Sequence, residues 1–308
     1  MRRPLLLIAL CIIAAVAVNA QFKVVPGGKK HVLGKDTLCF QYDLRAHDTL
    51  RYKVEANDSV KVENGQAFSK RRTEIIEVVC DSVSVQGHMH LTIRLDSARE
   101  LHINGADTTV KTSSLWVGRK HHLTIDKLGH RLAFSSDNDA LAGVSPGGTM
   151  QPMLIPIIDS SCGRQGQSWL SENTVVLVEN AVPSPILKQQ NFWRVIDSID
   201  TLGRKASILQ YTQTGVGVVT LVAPDVKFET SCVIAGYGRL IFDRKWNVII
   251  HMYATVENRF TMKRLTGTDV KGRHLTAENV TLLELVSRDP SRSWKGETRK
   301  SKDAKKTR

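Results

Sequence analysis

The chain has 308 residues, of which 42% are hydrophobic and 24% charged, with a formal net charge of +13. That length and apolar share support a sizeable core in one large domain or two ordinary ones, and they exclude a fully disordered chain. Past the first twenty residues no stretch approaches the ~20 consecutive apolar residues of a membrane-crossing helix, so the expectation is a body that is soluble or peripheral to a membrane.

Residues 1–20 read as a secretory signal peptide: Arg2 and Arg3 supply the positive start, residues 5–18 the apolar region, and Val18-Asn19-Ala20 the small-residue cleavage site. The mature chain is expected to begin at Gln21, in the periplasm or outside the cell. Cys39, Cys80, Cys162 and Cys232 remain in it. An oxidising compartment permits disulfides, four cysteines allow three complete pairings, and buried free thiols are the alternative.

Residues 21–36 form a polar leader with a turn at Pro26-Gly27-Gly28. Strict alternation then begins, with Leu38, Phe40, Tyr42 and Leu44 on one face, and it returns at residues 50–54, which predicts half-buried strands. Asn57-Asp58-Ser59 reads as a turn. Residues 73–85 and 88–95, separated by Gln86-Gly87, predict a hairpin, and strand-and-turn rhythm continues through residues 101–104 and 109–117 to a second hairpin at Asp126. The clearest break lies at residues 137–152, around Ser145-Pro146-Gly147-Gly148.

The second half echoes the first. Val79-Cys80-Asp81-Ser82-Val83 aligns with Val195-Ile196-Asp197-Ser198-Ile199 at an offset of 116, while Tyr52 matches Trp169 and Asp126 matches Asp243 at 117. Fixed spacing is the mark of repetition. The fold expected is all-β, a tandemly duplicated antiparallel β unit forming one curved sheet or two abutting half-barrels. Its parts are a first repeat at 37–136, a linker at 137–152, a second repeat with closing strands at 153–287, and a disordered basic tail at 288–308. That tail holds nine Lys or Arg against three Asp or Glu.

Gly166-Gln167-Ser168-Trp169, followed by Gly236-Tyr237-Gly238 and Phe242-Asp243, resembles exported β-repeat proteins of Gram-negative bacteria of the Bacteroidota type, with a distant similarity to lipoprotein-carrier half-barrels. The resemblance covers residues 38–262 and implies an envelope location and a curved antiparallel sheet. It carries over no catalytic residue, and the first repeat has Asp48-Thr49-Leu50-Arg51-Tyr52 where the motif would stand.

Chemistry-bearing patterns are sparse. His88 and His90, two apart on a predicted strand, point to one face and are the candidate metal ligands, with His121, His122 and His130 later in the same repeat. Solvated surface histidines are the bland alternative. The glycines at 215, 217, 236 and 238 follow no phosphate-loop pattern and suit close backbone packing in a sheet. No GxSxG presents a nucleophile, no cofactor is implied, and export makes nucleic acid a poor partner for the basic tail compared with an anionic envelope surface. The expected function is therefore a noncatalytic envelope protein binding an apolar or amphipathic ligand or another envelope component. The alternatives are a surface-interaction protein without a pocket, and a metal-binding protein or hydrolase.

Overall fold

The computed structural model describes residues 38–63, 67–104, 107–112, 117–137, 154–158, 162–163, 166–179, 182–201, 204–223, 226–264 and 273–289. The expected signal peptide and leader lie outside these residues, as do nearly all of the expected linker and tail. The strands in chain order are β1 (Leu38–Cys39), β2 (Thr49–Val62), β3 (Ala67–Val83), β4 (Met89–Asn104), β5 (Asp107–Lys111), β6 (Lys120–Ile125), β7 (Arg131–Ser136), β8 (Cys162–Gly163), β9 (Ser168–Glu179), β10 (Val182–Thr201), β11 (Arg204–Ala223), β12 (Val226–Asp243), β13 (Val248–Arg264) and β14 (Arg273–Asp289).

The fold is all-β. Twelve of the strands form one antiparallel sheet in the order β7-β6-β4-β3-β2-β14-β13-β12-β11-β10-β9, with β5 paired to the outer half of β4, and β1 pairs separately with β8. Of the two arrangements expected, the sheet is thus a single continuous one. The first long strand, β2, pairs with the last, β14, and this ladder joins the two halves of the chain. Among the described residues no ladder joins the end strands β7 and β9, so the sheet is not closed into a barrel.

Turn chemistry sets the hairpins. Asp126 accepts hydrogen bonds through Oδ1 from the amides of Leu128 and His130, and Asp243 does the same for Lys245 and Trp246. Both predicted aspartates therefore close hairpin turns, where a short carboxylate satisfies amides the ladder leaves over. A register shift precedes each at the same offset, between Thr124 and Ile125 in the β6–β7 pair and between Ile241 and Phe242 in the β12–β13 pair.

Alternation along the long central strands gives them a buried inner side. The main core gathers at the turn end, where Phe40, Trp193, Leu209, Phe242 and Leu95 are fully buried. Two crossing segments fill it. Residues 38–44 alternate buried and exposed as expected, but only Leu38–Cys39 is a strand; the rest crosses the core, with Phe40 stacked on Trp169 at 6.0 Å and edge-on to Phe242 at 5.9 Å. Residues 154–158 bridge the β6–β7 turn to the edge strand β9: the Ile158 amide donates to the Leu128 carbonyl, and Trp169 Nε1 and Ser171 Oγ donate to the carbonyls of Ile158 and Ile157. Gly129 is required beneath this bridge. Its φ is +88°, and a β-carbon there would lie 2.9 Å from the Pro156 carbonyl oxygen.

Three expectations are corrected. Asn57-Asp58-Ser59 is not a turn but the middle of β2, because the buried Asp58 finds charged and polar partners across the neighbouring strands. β14 extends to Asp289, so the fold claims the first residues assigned to the tail: Arg288 pairs with Asp48 at 2.8 Å and lies over the Trp246 ring. Of the histidine pair, only His90 belongs to a strand, since His88 ends the preceding turn with its amide donating to Ser84 Oγ.

Candidate functional site

The inner face contains the first candidate, a buried polar belt beyond the apolar core. Arg72 on β3 donates to Asp58 at 2.7 Å and to Glu74 at 2.9 Å, Asn279 on β14 donates to Asp58, and Thr281 donates to Asn279. Lys70 and His102 extend the chain through Glu100. Burial alone would lower the pKa of Arg72, but Glu74 and Asp58 outweigh it and hold the guanidinium above its ordinary pKa. These groups bind one another across β3, β2 and β14, so their evident work is to fix the ladder where the halves meet.

Among the described residues, two small enclosed spaces lie in the apolar core. One cavity of about 20 Å³ is bounded by Ile93, His121, Leu123, Arg131, Phe134 and Leu154, and one of about 10 Å³ lies among Tyr42, Leu50, Tyr52 and Val78. Each has room for a water molecule at most. Neither admits an acyl chain or a sugar.

Larger depressions lie on the outer face. One of about 730 Å³ crosses β9 to β12 and is bounded by Glu172, Lys188, Gln190, Thr214, Val216 and Val233, among others. Val216 opposes Val233 directly across β11 and β12, and Phe192 opposes Leu170 across β10 and β9. Val216 is 61% exposed, Phe192 51% and Val233 49%, a concentration of bare apolar surface on a face that elsewhere carries charge. Sequence reading missed this patch. Its signal was Gly215-Val216-Gly217-Val218, where alternation buries the glycines and turns both valines outward.

A second outer depression, of about 440 Å³, lies on β3, β4 and β6 and is lined by Glu77, Asp81, Thr92, Arg94, Lys120 and His122. Thr92 Oγ1 donates to Asp81 Oδ2 at 2.6 Å and lies 3.0 Å from His122 Nδ1. A hydroxyl has one proton, and the carboxylate takes it. Thr92 must then accept from His122 Nδ1–H, which leaves the imidazole unable to withdraw the hydroxyl proton as the base of a hydrolase would.

The five candidate histidines do not converge. His121 is buried against Phe134, where burial lowers its pKa, whereas His122, the next residue, faces outward; His130 bonds Asp126 within the turn at 2.7 Å. Among the described residues no group of three His, Cys, Asp or Glu side chains is placed to hold a metal ion. Of the cysteines, Cys39 is disulfide-bonded and stands opposite Cys162 in the β1–β8 ladder. Cys80 and Cys232 are free and buried, and burial pushes their thiols up to about 12 and about 11, which leaves them unreactive.

No protein-family model matches the chain, and no curated protein matches it either.

Proposed function

We propose that the protein is an exported, noncatalytic envelope protein that engages an apolar or amphipathic envelope component on the outer face of β9 to β12, not in the interior of its sheet. The observation that carries this is the contrast between a core filled by residues 38–44 and 154–158 and an outward face on which the bare Val216 and Val233 line a 730 Å³ depression, with Leu170 and Phe192 bare farther along the same face. Apolar side chains on a solvated sheet face gain free energy when a partner covers them, about 25 cal/mol per Å² removed from water. The export signal read from the sequence supports an envelope partner.

The test is cosedimentation of the mature protein with vesicles of envelope lipid, comparing wild type with a Val216→Thr, Val233→Thr double variant. Clear loss of binding in the variant is expected, at an unchanged melting temperature. Equal binding by both proteins would overturn the assignment of this face. Absence of binding by the wild type would leave the structural alternative, a module without a lipid or amphiphile partner.

A further inference from the structure

On the opposite half of the sheet, β4 and β6 place two histidines and two threonines in a two-by-two block on the outer face. His90 lies directly opposite Thr124, and Thr92 directly opposite His122. The histidines are therefore diagonal neighbours, with β-carbons roughly 7–8 Å apart by sheet geometry. Each ring has its Nδ1 3.0 Å from the hydroxyl across the ladder. Both imidazoles are exposed, and Nε2 is the nitrogen each leaves unengaged.

The protonation of one ring follows from the bonds around it. Asp81 takes the Thr92 proton, so Thr92 accepts from His122 Nδ1–H, and the His122 Nε2 lone pair is then available. A carboxylate acting through a hydroxyl on the far nitrogen of an imidazole is the outer-shell arrangement that orients metal-ligating histidines and raises their basicity. We propose that His90 and His122 form a two-histidine site for a borderline divalent ion of the zinc, copper or nickel class, with water completing the coordination and Asp81 and Thr92 positioning His122. Imidazole nitrogen suits these ions over calcium or magnesium. Asp81 supplies negative charge nearby, and Lys120, which lines the same depression, opposes it.

This assignment differs from the sequence pair His88 and His90 in its second ligand, and that difference makes it testable. Titration of the mature protein with zinc chloride in chelator-free buffer, followed by calorimetry, should give one equivalent of binding. His90→Ala and His122→Ala should each weaken it at least tenfold, Thr92→Val by roughly tenfold or more, and Lys120→Gln should tighten it. His88→Ala should leave it unchanged. All five positions lie at the surface or in a turn, and melting curves will verify folding. The site is overturned if His90→Ala or His122→Ala binds zinc like the wild type, or if His88→Ala loses as much. A second measurement needs no metal: nitrogen-15 spectra should show His122 protonated on Nδ1 in the wild type and redistributed in Thr92→Val. A wild-type His122 protonated on Nε2 would equally overturn it.

Discussion

Strands β2 to β4 and β9 to β11 hold corresponding places at the offset of 117, with Tyr52 and Trp169 facing the core from β2 and β9, yet their outer faces differ in kind. On β2 to β4 the outer surface is a mesh of ion pairs: Glu77 meets Arg51 and Arg94 at 2.9 Å, and Arg94 meets Asp96 at 2.8 Å. On β9 to β12 the same surface carries Leu170, Phe192, Val216, Val218 and Val233, with Glu172, Lys188, hydroxyls and amides between them. The inner faces diverge less, since both bury large apolar residues at the turn end. The halves therefore differ mainly on the solvent side, where stability depends least on residue identity.

The edges differ too. β2 is covered by β14, whereas the corresponding strand β9 has only the short bridge 154–158 beside it among the described residues. The β2–β14 ladder should therefore contain the most sensitive polar position in the sheet. Asp58→Ala leaves the buried Arg72 guanidinium with one carboxylate instead of two and strands Asn279 as well, so a loss of about 3–5 kcal/mol is expected in denaturant melts. Arg51→Ala, which breaks the exposed pair with Glu77, should barely move the midpoint. Similar losses for the two would mean that the buried belt contributes no more than surface charge does.

The next contrast lies in the core. Position 193 corresponds to position 76, and both Trp193 and Ile76 are fully buried. Trp193→Ala should cost about 3–5 kcal/mol, since it empties the centre of the Trp169–Trp193–Tyr211 stack and removes the donor to Ser171. Ile76→Val removes one methylene and should cost about 0.5–1.5 kcal/mol. Chemical denaturation of both variants checks the pair. A milder tryptophan variant would imply that the second half repacks more freely than its close ring contacts suggest.

Much of this was legible in the sequence because it is local. Period-two alternation and the turn aspartates Asp126 and Asp243 each report on residues within a few positions of themselves, and those elements are found where they were expected. Most of the failures are long-range. Asp58 looked like a turn residue because its partners, Arg72 and Asn279, lie 14 and 221 positions away. Residues 38–44 looked like an ordinary strand because alternation records a buried face and not what covers it. His90 was read beside His88, its neighbour in the chain, whereas the β4–β6 register sets it diagonal to His122 across an excursion that contains β5.

Acid should test the Asp126 turn. Burial would raise the pKa of Asp126, but hydrogen bonds from His130 and from the amides of His130 and Leu128 outweigh it and hold the carboxyl below its ordinary value. A carboxylate whose folded pKa is depressed adds stability above its unfolded pKa, near 3.9, and loses that increment as pH falls through the folded value. Asp126→Asn should therefore lower stability at pH 7 by roughly 0.5–2 kcal/mol, the range for losing a side-chain cap, and flatten the stability profile below pH 4. Melts from pH 2 to 7 will show whether the acid slope narrows; a parallel profile would place the acid-sensitive group elsewhere.

The smallest effect on stability is expected where the functional contrast is greatest. Val216 and Val233 face outward from paired positions, and their side chains are half exposed or more. Replacing both with Thr keeps β-branching and strand preference, so the melting free energy should stay within about 0.5 kcal/mol of wild type. Binding to vesicles of envelope lipid should nonetheless fall, because each hydroxyl stays hydrated on the free protein and must lose that water under an apolar partner. The reciprocal change, Thr92→Val on the first half, should leave vesicle binding untouched while weakening zinc, if the two outer faces serve different ligands. Vesicle binding retained equally by both variants would mean that the attraction belongs to the whole basic surface and not to the bare face of β9 to β12.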